Sequence, residues 1–269
     1  MRILFILLFC LIKFEAFSQA PSDSVLFSIH YIAQFKHYVE SEKLQTEEKV
    51  LDVIAGGFTD FHGRWLRKRT ELTDSVVKAG GDFNEIMKAV SPYPSPCQFY
   101  TVYQNYPQKG ERLFCDRAAI KQFHYTEKIE PINWTLESKD SVIAEYTCQS
   151  ASCTFRGHHW TVYYTADIPY SVGPWNLSGL PGAVMYAKDE SGVFVFDAIE
   201  VRAGNRLFKA PNLKKSQKCT RAELRQMQLD ADKDPDGFMK RLTGYESKGY
   251  TADGKPIVYE PKTTLFMED

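Results

Sequence analysis

Residues 160–182 read WTVYYTADIPYSVGPWNLSGLPG, and this stretch decides the fold. From Trp160 to Thr165 it is aromatic and β-branched, the composition of a strand. It is then punctuated by Ile168-Pro169, by Gly173-Pro174-Trp175 and by Gly179-Leu180-Pro181-Gly182. Proline fixes its own φ and glycine reaches backbone angles other residues avoid. That density of turns describes a rigid loop between two strands. Pro181-Gly182 suits the central positions of a type II turn, and residues 183–186 read as a buried strand entering a sheet. Trp175 reads as a lid packed over the sheet edge. The loop is either a plain crossover or the wall of a cleft, with Tyr170, Trp175 and Leu177 as apolar contacts.

Strands continue on both sides. Val25, Phe27, Ile29 and Tyr31 alternate with polar or small residues, and residues 49–54 resume the pattern until Gly56-Gly57. These two runs form a hairpin, and the Glu/Lys-rich residues 40–49 between them read as a solvated loop. Further strands are expected at 99–103, 111–115, 120–127, 133–136, 142–148, 151–155 and 159–165. Residues 183–188 and 192–199 form a hairpin. Residues 61–77 and 83–90 have helical character, and Asp82 with Glu85 makes a capping box. The prolines of 91–96 end that helical stretch. Thr220 with Glu223 starts another helix, and Asp234-Pro-Asp-Gly237 breaks it.

The expected fold is mainly β (α+β): a curved antiparallel sheet or half-barrel with a few helices on one face. By analogy of strand order it is similar to periplasmic lipoprotein-carrier folds. Residues 1–20 read as a signal peptide, with Arg2 before the apolar run ILFILLFCLI. Phe9 before Cys10 argues against a lipoprotein. Residues 21–245 read as a single β-rich domain, with a helical stretch near 61–90. Residues 246–269 read as an extended or partly disordered tail. A periplasmic or extracellular location follows. The net charge of −1 argues against a nucleic-acid partner, which calls for a basic excess.

Five cysteines follow the leader. Cys148 with Cys153, and Cys97 with Cys115, are candidate disulfides, and the odd count leaves a thiol over. The spacing C-x4-C beside His158-His159 is not a standard metal pattern, so no metal is expected. Neighbouring histidines in a strand face opposite ways, so one should pack and the other face solvent. The chain has no G-x-S-x-G elbow and no dinucleotide or P-loop fingerprint. Hence no cofactor and no catalytic residue is assigned.

Ordered motifs run from Glu130-Pro-Ile-Asn-Trp134-Thr-Leu136 through Cys148-Gln149, Phe155-Arg156-Gly157, Ile168-Pro169 and Gly173-Pro174-Trp175 to Gly179-Leu180-Pro181-Gly182. In this the chain resembles the GLPGLI family of exported Bacteroidota proteins. It departs at Ala183-Val184, where the family name implies Leu-Ile, and at Gly157-His158, where the family usually has Gly-Arg. The resemblance implies export and a shared architecture, and it supplies no catalytic residues.

Three functions are weighed. The first is an exported, envelope-associated binding protein for an apolar small molecule, lipid or peptide, its cavity lined by Trp134, Tyr163, Trp175 and Phe196. The second is a structural or accessory partner of an outer-membrane complex. The third is a hydrolase whose site brings together Glu145, His159 and Asp167.

Overall fold

A computed structural model describes residues 23–245, 253, 255 and 262–267. The expected signal peptide, and most of the expected tail, lie outside the described residues. The described part of the tail, residues 262–267, is extended and docked on the domain.

Six strands come first: β1 (Val25–Phe35), β2 (Gln45–Ile54), β3 (Thr59–Gly63), β4 (Thr101–Gln104), β5 (Glu111–Ala118) and β6 (Lys121–Lys128). The helices α1 (Arg64–Lys78) and α2 (Phe83–Val90) fall between β3 and β4. Then come β7 (Thr135–Ile143), β8 (Tyr146–Phe155), β9 (His158–Thr165), β10 (Ala183–Asp189) and β11 (Phe194–Ala203). The short β12 (Gln217–Lys218), α3 (Arg221–Lys233) and α4 (Pro235–Thr243) follow. All the strands join one sheet in the order β12-β6-β5-β4-β3-β2-β1-β11-β10-β9-β8-β7. Every pairing is antiparallel except β12 on β6. The protein is therefore mainly β, as expected.

The order explains the curvature. The chain meanders from β1 to β6, jumps to β7 at the opposite edge, and meanders back to place β11 beside β1. A flat sheet would separate β6 from β7 by about 48 Å, at about 4.8 Å per strand. Only residues 129–134 make the jump, and that length of extended chain reaches about 24 Å. The sheet must therefore curl until its two edges face one another. Arg156, in the turn between β8 and β9, ties the edges together by reaching Glu127 of β6 at 3.3 Å.

Curling gives the sheet an inside. Ile29, Tyr31, Phe61, Phe114, Tyr125, Trp160 and Phe196 fill it as one core. The loop of residues 166–182 crosses that interior. Trp175, Leu177 and Leu180 are buried there. Gln104 of β4 donates from Nε2 to the Trp175 carbonyl at 3.1 Å and accepts from Ser178 Oγ at 3.0 Å. Trp175 is thus an interior plug, where the sequence suggested an edge lid, and it holds φ at 52°.

Gly182 also differs from its expected role. A type II turn would give it a positive φ, and it has none. Its glycine is required by close approach: a Cβ there would lie 2.0 Å from the Thr165 carbonyl oxygen. Gly173 is the same case, with a Cβ falling 2.0 Å from the Leu177 carbonyl.

Both capping boxes form as the sequence indicates, Asp82 with Glu85 and Thr220 with Glu223. β3 was hidden from the sequence reading, because five residues running straight into α1 carry little periodicity. Gly182→Ala should lower unfolding stability by about 1–3 kcal/mol, since backbone atoms rather than a movable side chain meet the new methyl. Chemical denaturation of the variant checks this.

Candidate functional site

A cavity of about 380 Å³ opens between the inner face of the sheet, α3 and residues 262–267. Its aromatic wall is Phe99, Tyr100, Phe114, Tyr125, Trp175 and Phe194. Tyr100 stacks on Phe114 at 5.8 Å, and Phe114 stacks on Tyr125 at 5.1 Å. The wall comes from alternation: Phe114 and Asp116 share one face of β5, and Tyr125 lies opposite Phe114 on β6. From α3, Leu224, Gln228 and Ala231 close one side. Residues 262–267 close another as a strap. Val39 N donates to the Thr263 carbonyl at 2.9 Å, and Leu265 N donates to the His37 carbonyl at 3.0 Å. Thr264 Oγ1 donates to Asp232 of α3, and Arg225 stands 4.9 Å from the Phe266 ring centre.

Charged groups gather at one end. Asp116 lines the cavity, and burial pushes its carboxyl up to about 6. The Arg117 backbone N–H and the Gln228 amide pull the other way. Behind the wall, Lys49 is fully buried. Its Nζ lies 3.1 Å from Glu47 Oε2 and 4.4 Å from the Tyr100 ring centre. Burial lowers the Lys49 ammonium from its usual value, with Glu47 opposing. Gln98 N donates to Glu47 Oε2 at 3.1 Å. Glu47 Oε1, Gln98 Oε1 and Lys49 Nζ are buried with no hydrogen-bond partner among the described residues, so this corner holds an unpaired donor as well as unpaired acceptors. Residues 40–49 were expected as a solvated loop. Instead β2 begins at Gln45 and carries Glu47 and Lys49 to the inner face in step with Leu51 and Val53.

A second polar system lies on the outer face, under α1. Asp52 and Asp60 face one another across β2 and β3. Ser28 donates to Asp52 Oδ1 at 2.5 Å, and His62 Nδ1 lies 3.4 Å from Asp60 Oδ1 and 3.8 Å from Asp52 Oδ2. No local spacing marks these two acids as a pair. The pair follows from the Gly56-Gly57 turn, about which residues 52 and 60 are symmetric, but only once β3 is known. Burial would raise the Asp60 carboxyl, yet Arg67 and His62 outweigh it and hold it well below the usual range. Arg67 grips both Asp60 oxygens, at 2.9 and 2.7 Å, and Arg206 pairs with Asp52. A neighbouring trio of His30, Glu48 and Glu200 is likewise held, Glu48 by Arg64 at 2.5 Å and Glu200 by Arg202 at 2.6 Å. Each group has the ligand types for a cation, but every carboxylate is already neutralised by an arginine. A cation would have to displace those guanidinium groups.

The residues singled out from sequence scatter. Of Trp134, Tyr163, Tyr170, Trp175, Leu177 and Phe196, only Trp175 lines the cavity. Leu177 and Phe196 are core. Trp134 donates from Nε1 to the Ser178 carbonyl at 3.1 Å and so braces the crossing loop. Tyr163 packs on Tyr186, and Tyr170 packs on Phe27. Tyr163 alternates with the inward-facing Val162 and Tyr164, which puts it on the wrong face for an inner cavity.

Neither candidate disulfide forms, and all five described cysteines are free thiols. Cys148 and Cys153 lie on one strand, β8, five residues apart, so their side chains point to opposite faces. Cys97 lines the inner cavity, whereas Cys115 alternates with inward-facing Phe114 and Asp116 and looks outward. The hydrolase trio does not assemble, because Glu145, in the turn between β7 and β8, lies toward the Thr165 end of β9 and away from His159. His159 contacts Thr154 at the start of β9, and Asp167 follows its far end, roughly 20 Å away at ~3.3 Å per residue. His158 packs against Phe194 while His159 is exposed, the division expected of adjacent strand residues.

No family model matches the chain, and no curated protein matches it. Among solved structures it is similar to PNGF-II in two crystal forms, at 13% and 14% identity, each with a TM-score of 0.48. Both matches cover 77% of this chain and 33% of that one, so the chain spans about a third of the length of PNGF-II.

The cavity's acid makes a pH prediction. A carboxyl raised from 3.8 to about 6 gives the folded state stability that is complete below the unfolded value and lost as pH rises through the folded one. Asp116→Asn should match the parent near pH 3.5 and exceed its melting temperature above pH 6.5. Thermal melts of both proteins across that range check the sign.

Proposed function

We propose that this is an exported, envelope-associated binding protein that holds a small apolar or amphipathic molecule in the cavity between the inner sheet face, α3 and the strap. The observation that carries this reading is the aromatic-walled cavity itself. Its volume of about 380 Å³ falls in the range of ligand pockets, roughly 300–1,000 Å³. Aromatic walls with a few placed polar groups are the usual makeup of such sites, and perturbed titratable groups favour the same location. Export rests on the apolar leader and on the resemblance to the GLPGLI family.

A partner-docking role has one observation in its favour. β7 is an edge strand, and its Leu136 and Val142 are 61% and 71% exposed. An unpaired edge can accept a partner strand. Against this, β7 carries Glu137, Lys139 and Asp140 and breaks register between Leu136 and Asp140. Charges and bulges guard an edge against pairing. The binding reading therefore ranks first.

Filling the cavity tests it. Ala231 lines the cavity from α3, and Ala231→Trp places an indole there. Titration with anilinonaphthalene sulfonate should show blue-shifted, saturable emission with the parent. Affinity should fall at least about tenfold in the variant, as loss of one good apolar site implies. Equal binding by a folded variant would remove the cavity from the account.

A further inference from the structure

The seam where the sheet edges meet carries more positive charge than its own structure uses. Three arginines converge on Glu127. Arg112 of β5 donates to its Oε1, Arg156 reaches the same oxygen at 3.3 Å, and Arg221 Nε lies 4.0 Å from Oε2. Arg156 also reaches Glu130 at 3.4 Å, but that side chain is 59% exposed. One Arg156–Glu127 pair is enough to tie the edges. Arg112, with a side chain only 2% exposed, and Arg221 are surplus to it.

Their hydrogen bonds are incomplete. Arg112 Nε and Arg221 Nη1 are buried atoms with no partner among the described residues, although the Arg221 side chain as a whole is 38% exposed. A guanidinium is never deprotonated in a protein, and a buried unpaired donor on a charged group is strongly unfavourable. Arg221 is also the first residue of α3, where the helix dipole adds positive potential. The second observation is position. Arg221 lines the aromatic cavity, and Arg112 shares its β5 face with Phe114 and Asp116, which line the cavity too. Arg221 thus sets an unpaired donor in the wall of the aromatic cavity, and Arg112 stands next to it along β5.

We propose that the cavity's ligand is an amphipathic carboxylate, its apolar body against Phe114, Tyr125 and Trp175 and its head group held by Arg112 and Arg221 beside Glu127. This rests on the binding reading above and names its ligand class. A carboxylate matches the planar fork of a guanidinium and accepts the charge-assisted hydrogen bonds that Glu127 alone leaves unmade.

Calorimetric titration of the whole chain with octanoate, 1-octanol and acetate tests it, in the parent and in Arg221→Gln. Octanoate should bind at least about tenfold more tightly than 1-octanol, the scale of a charge-assisted hydrogen bond, and acetate should bind much more weakly than octanoate. Arg221→Gln should bring octanoate to the 1-octanol level and leave 1-octanol unchanged. Equal binding of octanoate and 1-octanol by the parent overturns the head-group assignment and leaves the cavity reading standing. Binding of neither overturns both. Acetate binding as tightly as octanoate means a free-anion site, and an octanoate preference that survives Arg221→Gln places the head group elsewhere. Either result overturns the proposal.

Discussion

The short link from β6 to β7 is the constraint on which the rest of the structure depends. Residues 129–134 join β6, next to one edge of the sheet, to β7 at the other, so the sheet curls rather than spreading. Curling creates an interior wider than its own strand side chains fill. The loop of residues 166–182 solves part of that problem by carrying Trp175 across to β4. Gly173 and Gly182 allow this, because the loop's backbone passes too near other backbone for a Cβ. α3 and residues 262–267 cover what remains, and the cavity is the space they leave.

Charge is partitioned by the same geometry. On the outer face, under α1, every acid of the two clusters has an arginine, and the layer is closed electrostatically. Removing one member of such a buried pair leaves an uncompensated charge, which is far more unfavourable than the pair is favourable. That network fixes α1 on the sheet, beside a second cavity of about 530 Å³ whose lining includes Ser28, His30, Asp52, His62, Arg67 and Arg206. On the inner face the pairing is incomplete. Glu47, Lys49, Gln98, Arg112 and Arg221 all keep polar atoms without partners among the described residues, and Gln98 and Arg221 line the aromatic cavity itself. Unpaired polar atoms beside an aromatic cavity are what the binding proposal rests on.

Much of the fold was legible in the sequence. Long alternating runs such as Val25–Phe35 declared their strands, and Asp82 and Thr220 declared their helix starts. The curled sheet was expected from strand order and composition, whereas the link that enforces it carries no sequence pattern of its own. β7 and β8 were misdivided: the sequence suggested one strand over 142–148, whereas Ala144 and Glu145 adopt positive φ and turn the chain. The site was far less legible. Aromatic residues looked like ligand contacts wherever they occurred, but the crossing loop carries Trp175 into the interior while strand alternation turns Tyr163 away from it. Lys49 and Glu47 looked solvated because their neighbours are charged, yet β2 alternation buries them. The arginine cluster draws on residues 112, 127, 156 and 221, and no local pattern links positions so distant.

Native mass spectrometry of the protein purified from the cells that make it, without refolding, tests the central claim most directly. The account predicts a noncovalent small-molecule adduct that is released on mild activation, and its composition would identify the ligand. A bare chain under conditions that preserve noncovalent complexes, or a complex with another protein alone, would contradict it.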